Sequence, residues 1–254
     1  MSEGTIVTRP WLMENDFSRH AIDNLVKSQQ LVAAASGVYT RWGVKPTWQG
    51  ITWFLQANMH LNLTIGGLSA LDMLGFSHYL SMSSKKKIHL YGTAKLPAWV
   101  NDLSDDVSFE WHSEWELLGP GKQAISHNGL LGDPLQKFTR QEPWKDGKDD
   151  LLISSPERAL LEILMDVPKE LSFEHADQLM QSMTNLSPLS LQALLEECKN
   201  IKVRRLFFWL ADRHKHTWLE KLQPERIDLG SGKRMLVKGG KLDKRYNITI
   251  PKFL

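Results

Sequence analysis

An α+β fold is predicted for this 254-residue chain by three observations. The first 45 residues read as a short helix, an amphipathic helix and a hairpin; the middle mixes strand alternation with helical spacing; and from residue 154 punctuated helices follow one another before the chain returns to strands. The expected architecture is an N-terminal winged helix-turn-helix over residues 1–45, then a domain over 46–254. That domain divides into a mixed α/β part to residue 150, a helical array over 151–222 and a closing β-ribbon over 223–254.

In the first segment, Trp11, Leu12 and Met13 close a short helix and Glu14-Asn15-Asp16 turn the chain. Ser18 is placed to cap the next helix, on which Ile22, Leu25 and Val26 recur at i, i+3, i+4 and form the buried face. The outer face carries Arg19, His20, Asn24 and Lys27. Leu31-Val32 and Val38-Tyr39 are strand-like around a Ser36-Gly37 turn. On this outline Ser18, Arg19, His20, Asn24 and Lys27 are candidates to face a DNA major groove, with Arg41 and Lys45 beside the wing and the phosphates. A helix packed on a neighbour with a solvated outer face explains the spacing equally well.

Pro46-Thr47 opens a helix, and a new unit, with Trp48, Ile51, Leu55 and Met59 on one face. Gly66-Gly67 introduce a shorter helix bearing Leu68, Leu71 and Leu74, ended near Gly75. Ile88–Tyr91 and Val107–Trp115 alternate as strands. Residues 119–150, with the breakers Gly119-Pro-Gly121 and Asp146-Gly147, read as loop with one short strand. Ser154-Ser-Pro-Glu157 then has capping-box spacing before Leu160, Leu161 and Leu164. Ser172 precedes a second helix of the array and Ser187-Pro188 a third; Val203, Leu206, Phe207 and Leu210 mark a fourth. Met235–Val237 and Tyr246, Ile248 and Ile250, separated by Gly239-Gly240, are the expected ribbon.

Composition narrows the function classes. The single cysteine, Cys198, excludes an internal disulfide, and its apolar helical stripe marks it as core. No run of about 18 apolar residues predicts a membrane span, and the Met-Ser-Glu-Gly-Thr start lacks signal-peptide character, so the chain is expected to be cytoplasmic. The ten tryptophans are expected to fill the core and domain seams. A net charge of +2 conceals segregation: residues 142–197 carry 4 basic and 12 acidic groups, net −8, whereas residues 198–254 carry 15 and 5, net +10. Such a segment fits a nucleic acid or an acidic partner. Packing of the basic block against the acidic one before it explains the pattern as well.

Two patterns invite an enzymatic reading and fail. Gly230-Ser-Gly-Lys-Arg234 lacks the first glycine of a phosphate loop, where Ile227 stands, and its final Ser or Thr, where Arg234 stands; a structural turn is expected. Glu110, His112, Glu114 and Glu116 share one strand face, as divalent-cation ligands would, but Phe109, Trp111 and Trp115 opposite them make an ordinary half-buried strand. Glu174-His175 lacks the second histidine of a zincin helix, and His214 and His216 near a helix end read as capping or solvated groups. No catalytic residue, cofactor or metal site is expected.

Several segments, in order along the whole chain, resemble those of the AbiEi antitoxin family of type IV toxin–antitoxin (abortive infection) systems. They are Leu68-Ser-Ala-Leu-Asp-Met-Leu-Gly-Phe-Ser-His-Tyr-Leu80, Ile88-His-Leu-Tyr-Gly92, Leu96-Pro-Ala-Trp99, Ser154-Ser-Pro-Glu-Arg-Ala-Leu-Leu-Glu162, Ser172-Phe-Glu-His-Ala-Asp177, Arg226–Arg234, Val237-Lys-Gly-Gly240 and Ile248-Thr-Ile-Pro251. The resemblance implies an N-terminal winged helix that binds inverted repeats in the promoter of its own operon. It also implies a C-terminal part that opposes a co-encoded nucleotidyltransferase-like toxin without a stable complex, and no enzymatic activity. Two features depart from a strong DNA reader: Asp23 lies in the recognition helix, and residues 1–45 are only +1. Arg204, Arg205, Lys241, Lys244 and Arg245 are therefore candidates for a secondary basic surface. The alternatives are a protein-interaction module whose +10 segment binds an acidic toxin, and a metal-dependent nuclease using Glu110, His112 and Glu114.

Overall fold

The computed structural model describes residues 4–76, 85–119, 124–125, 131–132, 138–144 and 149–253. The chain divides into two compact units: Met1–Ile65, Leu80–His112 and Gln141–Ile153 make the first; Gly66–Tyr79, Ser113–Arg140 and Ser154–Leu254 make the second.

The first unit begins with β1 (Val7–Thr8), α1 (Arg9–Glu14), α2 (Arg19–Lys27), β2 (Leu31–Ala35) and β3 (Val38–Arg41). Strand β3 lies between the other two and is antiparallel to both, with Val7 opposite Tyr39 and Leu31 opposite Arg41. Both helices start where a side-chain oxygen replaces the missing turn: Thr8 Oγ1 accepts from Trp11 N, and Ser18 Oγ from Ala21 N. Ile22 is fully buried and Leu25 and Val26 half-buried, so the predicted inner face of α2 is the inner face observed. Gly37 turns the hairpin at φ +71°, where a side chain would be strained.

Residues 46–65 pack in this same unit. Thr47 N donates to the Gly4 carbonyl, and Thr47 Oγ1 caps α3 (Trp48–Trp53). Gly50 abuts Gly4 so closely that a Cβ would stand 2.1 Å from the Gly4 oxygen, which restricts the position to glycine. Helix α3 continues as a π turn, Phe54–Asn58. There Gln56 donates to the Leu63 and Leu152 carbonyls and accepts from Leu152 N. These contacts tie it to β4 (Leu63–Ile65) and to β10 (Asp149–Ser154).

A five-stranded sheet carries, in spatial order, β6 (Val107–Ser113), β5 (Lys86–Gly92), β4, β10 and β9 (Thr139–Trp144). Strand β4 runs antiparallel to β5 and parallel to β10. Two expectations are corrected. Residues 119–150 hold more strand than predicted: β9, the start of β10, and a short ladder of β7 (Ala124–Ile125) with β8 (Leu131–Gly132). Strand β10 opens with Asp149-Asp150 and shows no alternation at that end; it lies between β4 and β9, with Ile153 opposite Ile65. The breakers Pro120-Gly121 and Asp146-Gly147 lie outside the described residues. Strand β6 stops at Ser113, and Trp115–Leu118 form the short helix α5 instead of prolonging it.

In the second unit, α6 (Pro156–Asp166) is central, packed by α4 (Gly67–Met73), α5, α7 (Phe173–Ser182), α8 (Pro188–Glu197) and α9 (Ile201–His214). Residues 157–164 are all buried, so α6 has no solvent face along those two turns. Its cap is Ser155, which accepts from Arg158 N; Ser172, Ser187 and Asn200 cap α7, α8 and α9 in the same way. Ser154 turns inward instead, donating to Glu162 Oε1 at 3.0 Å. The same carboxylate receives Arg158 Nε at 2.7 Å and, on Oε2, the Gly67 N–H at 2.8 Å.

Two cations of the basic block are internal to this unit, and most of the others are exposed. Arg204 and Arg205 are buried, which corrects their placement on a basic surface. Arg204 donates to the Leu195, Glu196 and Asp228 carbonyls. Arg205 donates to those of Leu229, Gly230, Gly232 and Asn247. The glycine-rich turn thus aims carbonyls at a cation, opposite to the inward N–H groups of a phosphate loop. Arg213 pairs with Asp177 and Arg226 with Glu196, so the acidic and basic blocks do meet. The closing ribbon is β11 (Lys241–Asp243) antiparallel to β12 (Ile248–Ile250). Met235–Val237 form no strand, because Leu236 N and Val237 N go to the Thr249 hydroxyl rather than to a ladder.

Glu162→Gln removes the nearer of two buried carboxylates beside Arg158, leaving Glu114 at 3.9 Å, and is expected to lower unfolding free energy by about 3 kcal/mol. Ser154→Ala is expected to lower it by about 1 kcal/mol, both read from urea midpoints. Burial raises the Asp177 carboxyl pKa, but hydrogen bonds from Arg213 and His214 outweigh it and hold the group below its ordinary range. A carboxyl with a depressed folded value contributes stability above its unfolded value and loses it as pH falls through the folded one. Asp177→Asn is therefore expected to cost about 1–2 kcal/mol near neutrality and to flatten the decline in urea midpoint below about pH 4.

Candidate nucleic-acid interface

The first unit presents α2 with its apolar side anchored by Ile22 and its polar side outward. Ser18, Arg19, His20, Asn24 and Lys27 are all exposed, and His20, Asn24 and Lys27 follow the i, i+4, i+7 row of one helical face. Ser18 is committed through its hydroxyl to the cap. Arg41 ends β3 and Lys45 follows in the next loop, both exposed. They line, with Val26, Gln29 and Trp42, a depression of about 580 Å³ beside the C-terminal end of α2. Arg19 lies at the other end, lining with Arg9, Ser36 and Gly37 a depression of about 1190 Å³. Cations therefore flank both ends of the polar row.

Asp23, the residue least suited to such a face, is compensated. Arg9 Nη2 meets its Oδ1 at 2.8 Å, while Arg9 Nε donates to Tyr39 Oη at 3.1 Å and the guanidinium lies 5.9 Å from the Tyr39 ring centre. Arg9 thus fixes α2 against β3 and cancels the one negative charge on the helix. Sequence reasoning missed this role, since 14 residues separate the pair and no helical or strand spacing links them. It also missed Trp42, 68% exposed between Arg41 and Lys45, because its exposure depends on where the hairpin ends.

Lys241 and Lys244 are exposed on the ribbon, and Arg245 is exposed but pairs with Asp212 at 2.5 Å. Glu110, His112 and Glu114 are not brought together as one set. Glu114 lies past the end of β6, buried, with an oxygen 3.9 Å from Arg158 Nη2. His89 of β5 takes its place: His89 Nδ1 lies 2.9 Å from His112 Nε2 and 3.8 Å from Glu110 Oε2. Burial, then the neighbouring His112, pushes the His89 pKa down to about 4. His214 and His216 are engaged by Asp177 and the Met180 carbonyl.

These features suit a regulator that carries a small helix-and-hairpin module ahead of a larger body, and the family comparisons define the class as transcriptional regulators. A model described as the AbiEi antitoxin N-terminal domain matches residues 1–82, and one described as a transcriptional regulator, the AbiEi antitoxin of type IV toxin–antitoxin systems, matches residues 85–251. The chain belongs to this AbiEi antitoxin family of transcriptional regulators. No curated protein matches it. A crystal structure of the RV2827C protein from Mycobacterium tuberculosis is similar in fold, with 16% identity and a TM-score of 0.52 over 96% of this chain and 85% of that one. Among the described residues, no helix is long and apolar enough to cross a membrane.

Ile22→Ala, which empties a fully buried site, is expected to lower stability by about 2–4 kcal/mol. Asn24→Ala on the exposed row is expected to change it by under about 0.5 kcal/mol. Thermal unfolding of the two variants separates the anchoring face of α2 from its outward one.

Proposed function

We propose that residues 1–45 act as a winged helix-turn-helix that binds inverted repeats in the promoter of the chain's own operon, and that residues 46–254 counteract a co-encoded nucleotidyltransferase-like toxin. The observation that carries the DNA reading is the exposed row His20, Asn24, Lys27 on α2, with Arg19 and Arg41 at its two ends and Asp23 neutralised by Arg9. In this reading α2 enters the major groove, His20 and Asn24 reach base edges, and Arg19, Lys27, Arg41 and Lys45 hold phosphates. Membership in a family of regulators supports the same role.

The toxin arm rests on the family alone. A direct grip on an acidic toxin through residues 198–254 would fall to exposed cations such as Lys215, Lys221, Lys233, Arg234 and Lys238, since Arg204 and Arg205 are buried and Arg213, Arg226 and Arg245 are paired within the chain. Lys241, Lys244 and Arg245 remain the exposed part of the secondary basic surface.

A salt titration of the full chain against its own upstream region and a scrambled duplex tests the reading. Preference for the upstream region by tenfold or more is expected, and equal binding to both overturns it. Asn24→Ala is expected to cost about 1–3 kcal/mol on the operator and little on the scrambled duplex, whereas Arg41→Ala weakens both alike and reduces the salt slope by about 1. A promoter-reporter strain expressing each variant then reads repression directly.

A further inference from the structure

We infer that His89, Glu110 and His112 form a binding site for a first-row transition-metal ion of the Zn²⁺, Co²⁺ or Ni²⁺ class. Among the described residues they are the one group of three such side chains whose ligand atoms all lie within 4.8 Å of one another. The strand register produces the cluster. Alternation puts Lys87, His89 and Tyr91 on one face of β5, opposite buried Ile88 and Leu90, while Glu110 and His112 take the corresponding face of neighbouring β6, opposite Phe109.

The geometry suits a metal. Two nitrogens bonded to one tetrahedral ion at about 2.1 Å stand about 3.4 Å apart, so His89 Nδ1 and His112 Nε2, at 2.9 Å, need to part by only about 0.5 Å to admit one. Glu110 Oε2, 3.8 Å from His89 Nδ1, completes a His₂Glu set after a small carboxylate rotation. The orientation of His112 is held by the Tyr91 ring, stacked at 4.6 Å and 13°, as outer-shell partners hold ligating imidazoles.

Without an ion, the short contact between the two ring nitrogens is a single hydrogen bond. On binding, the bridging proton moves through solvent to the far nitrogen of its own ring, and both rings stay neutral ligands. Two imidazoles favour borderline-soft ions over Mg²⁺ or Ca²⁺, which prefer oxygen sets. Three protein ligands leave at least one position for water or for a partner's side chain. Lys87 Nζ, 2.6 Å from Glu110 Oε1, competes with the ion for the carboxylate.

The test titrates the full chain, stripped with chelator and dialysed, with Co²⁺, following visible absorption. One equivalent per chain is expected, displaced by Zn²⁺ and not by millimolar Mg²⁺. Affinity falls at least tenfold in Glu110→Gln and the signal is lost in His112→Gln. Lys87→Met, which removes the competing cation without touching a ligand, raises affinity severalfold, and this holds whether or not His112→Gln folds. The chain contains nine histidines. A Co²⁺ signal unchanged by both Glu110→Gln and Lys87→Met therefore belongs to other imidazoles and overturns the assignment, as does no signal at one equivalent.

Discussion

The second unit is organised around the buried Glu162 carboxylate. Three donors from three places in the sequence converge on its two oxygens: the Ser154 hydroxyl at the end of β10, the Arg158 guanidinium one turn earlier on α6, and the Gly67 N–H at the start of α4. A charge without water needs such a shell, and the need is stringent because each absent donor leaves part of the carboxylate desolvated. The consequence is positional. The first turns of α4 and α6 must arrive together, which sets where the apolar side chains of α7, α8 and α9 find their partner surface. A buried pair of this kind adds little net stability over a well-packed apolar substitute, but it rejects arrangements in which any one donor is elsewhere.

What was legible in the sequence is mostly local. Ser18, Thr47, Ser172 and Ser187 announce helices that begin where they predict, because a cap needs only one side chain and the next three amides. The inner face of α2 and the four-helix array follow from spacing for the same reason. What was not legible depends on residues far apart. Strand β10 draws its order from β4, nearly 90 positions earlier, where Ile65 lies opposite Ile153. Arg204 and Arg205 read as surface cations, since nothing in their neighbourhood reveals that the carbonyls of residues 195–196, 228–232 and 247 will surround them.

The candidate sites divide the same way. The outward row of α2 was readable from helical period, whereas Arg9 became part of that face only through the hairpin that brings Tyr39 and Asp23 to it. His89 sits in Ile88-His-Leu-Tyr91, an apolar strand in which a lone histidine carries no signal; its meaning comes from β6 lying alongside. Glu114 illustrates the converse: alternation assigned it to the strand face, and the end of β6 at Ser113 removed it.

The Arg205 side chain also bears on how the protein comes apart. One guanidinium collects four carbonyls from the 229–232 turn and from residue 247, so the turn and the ribbon that follows share a single internal fastening. Detaching the ribbon means breaking that fastening together with the core packing of Tyr246, Ile248 and Ile250, so a polar and an apolar contact hold the same segment to the helices.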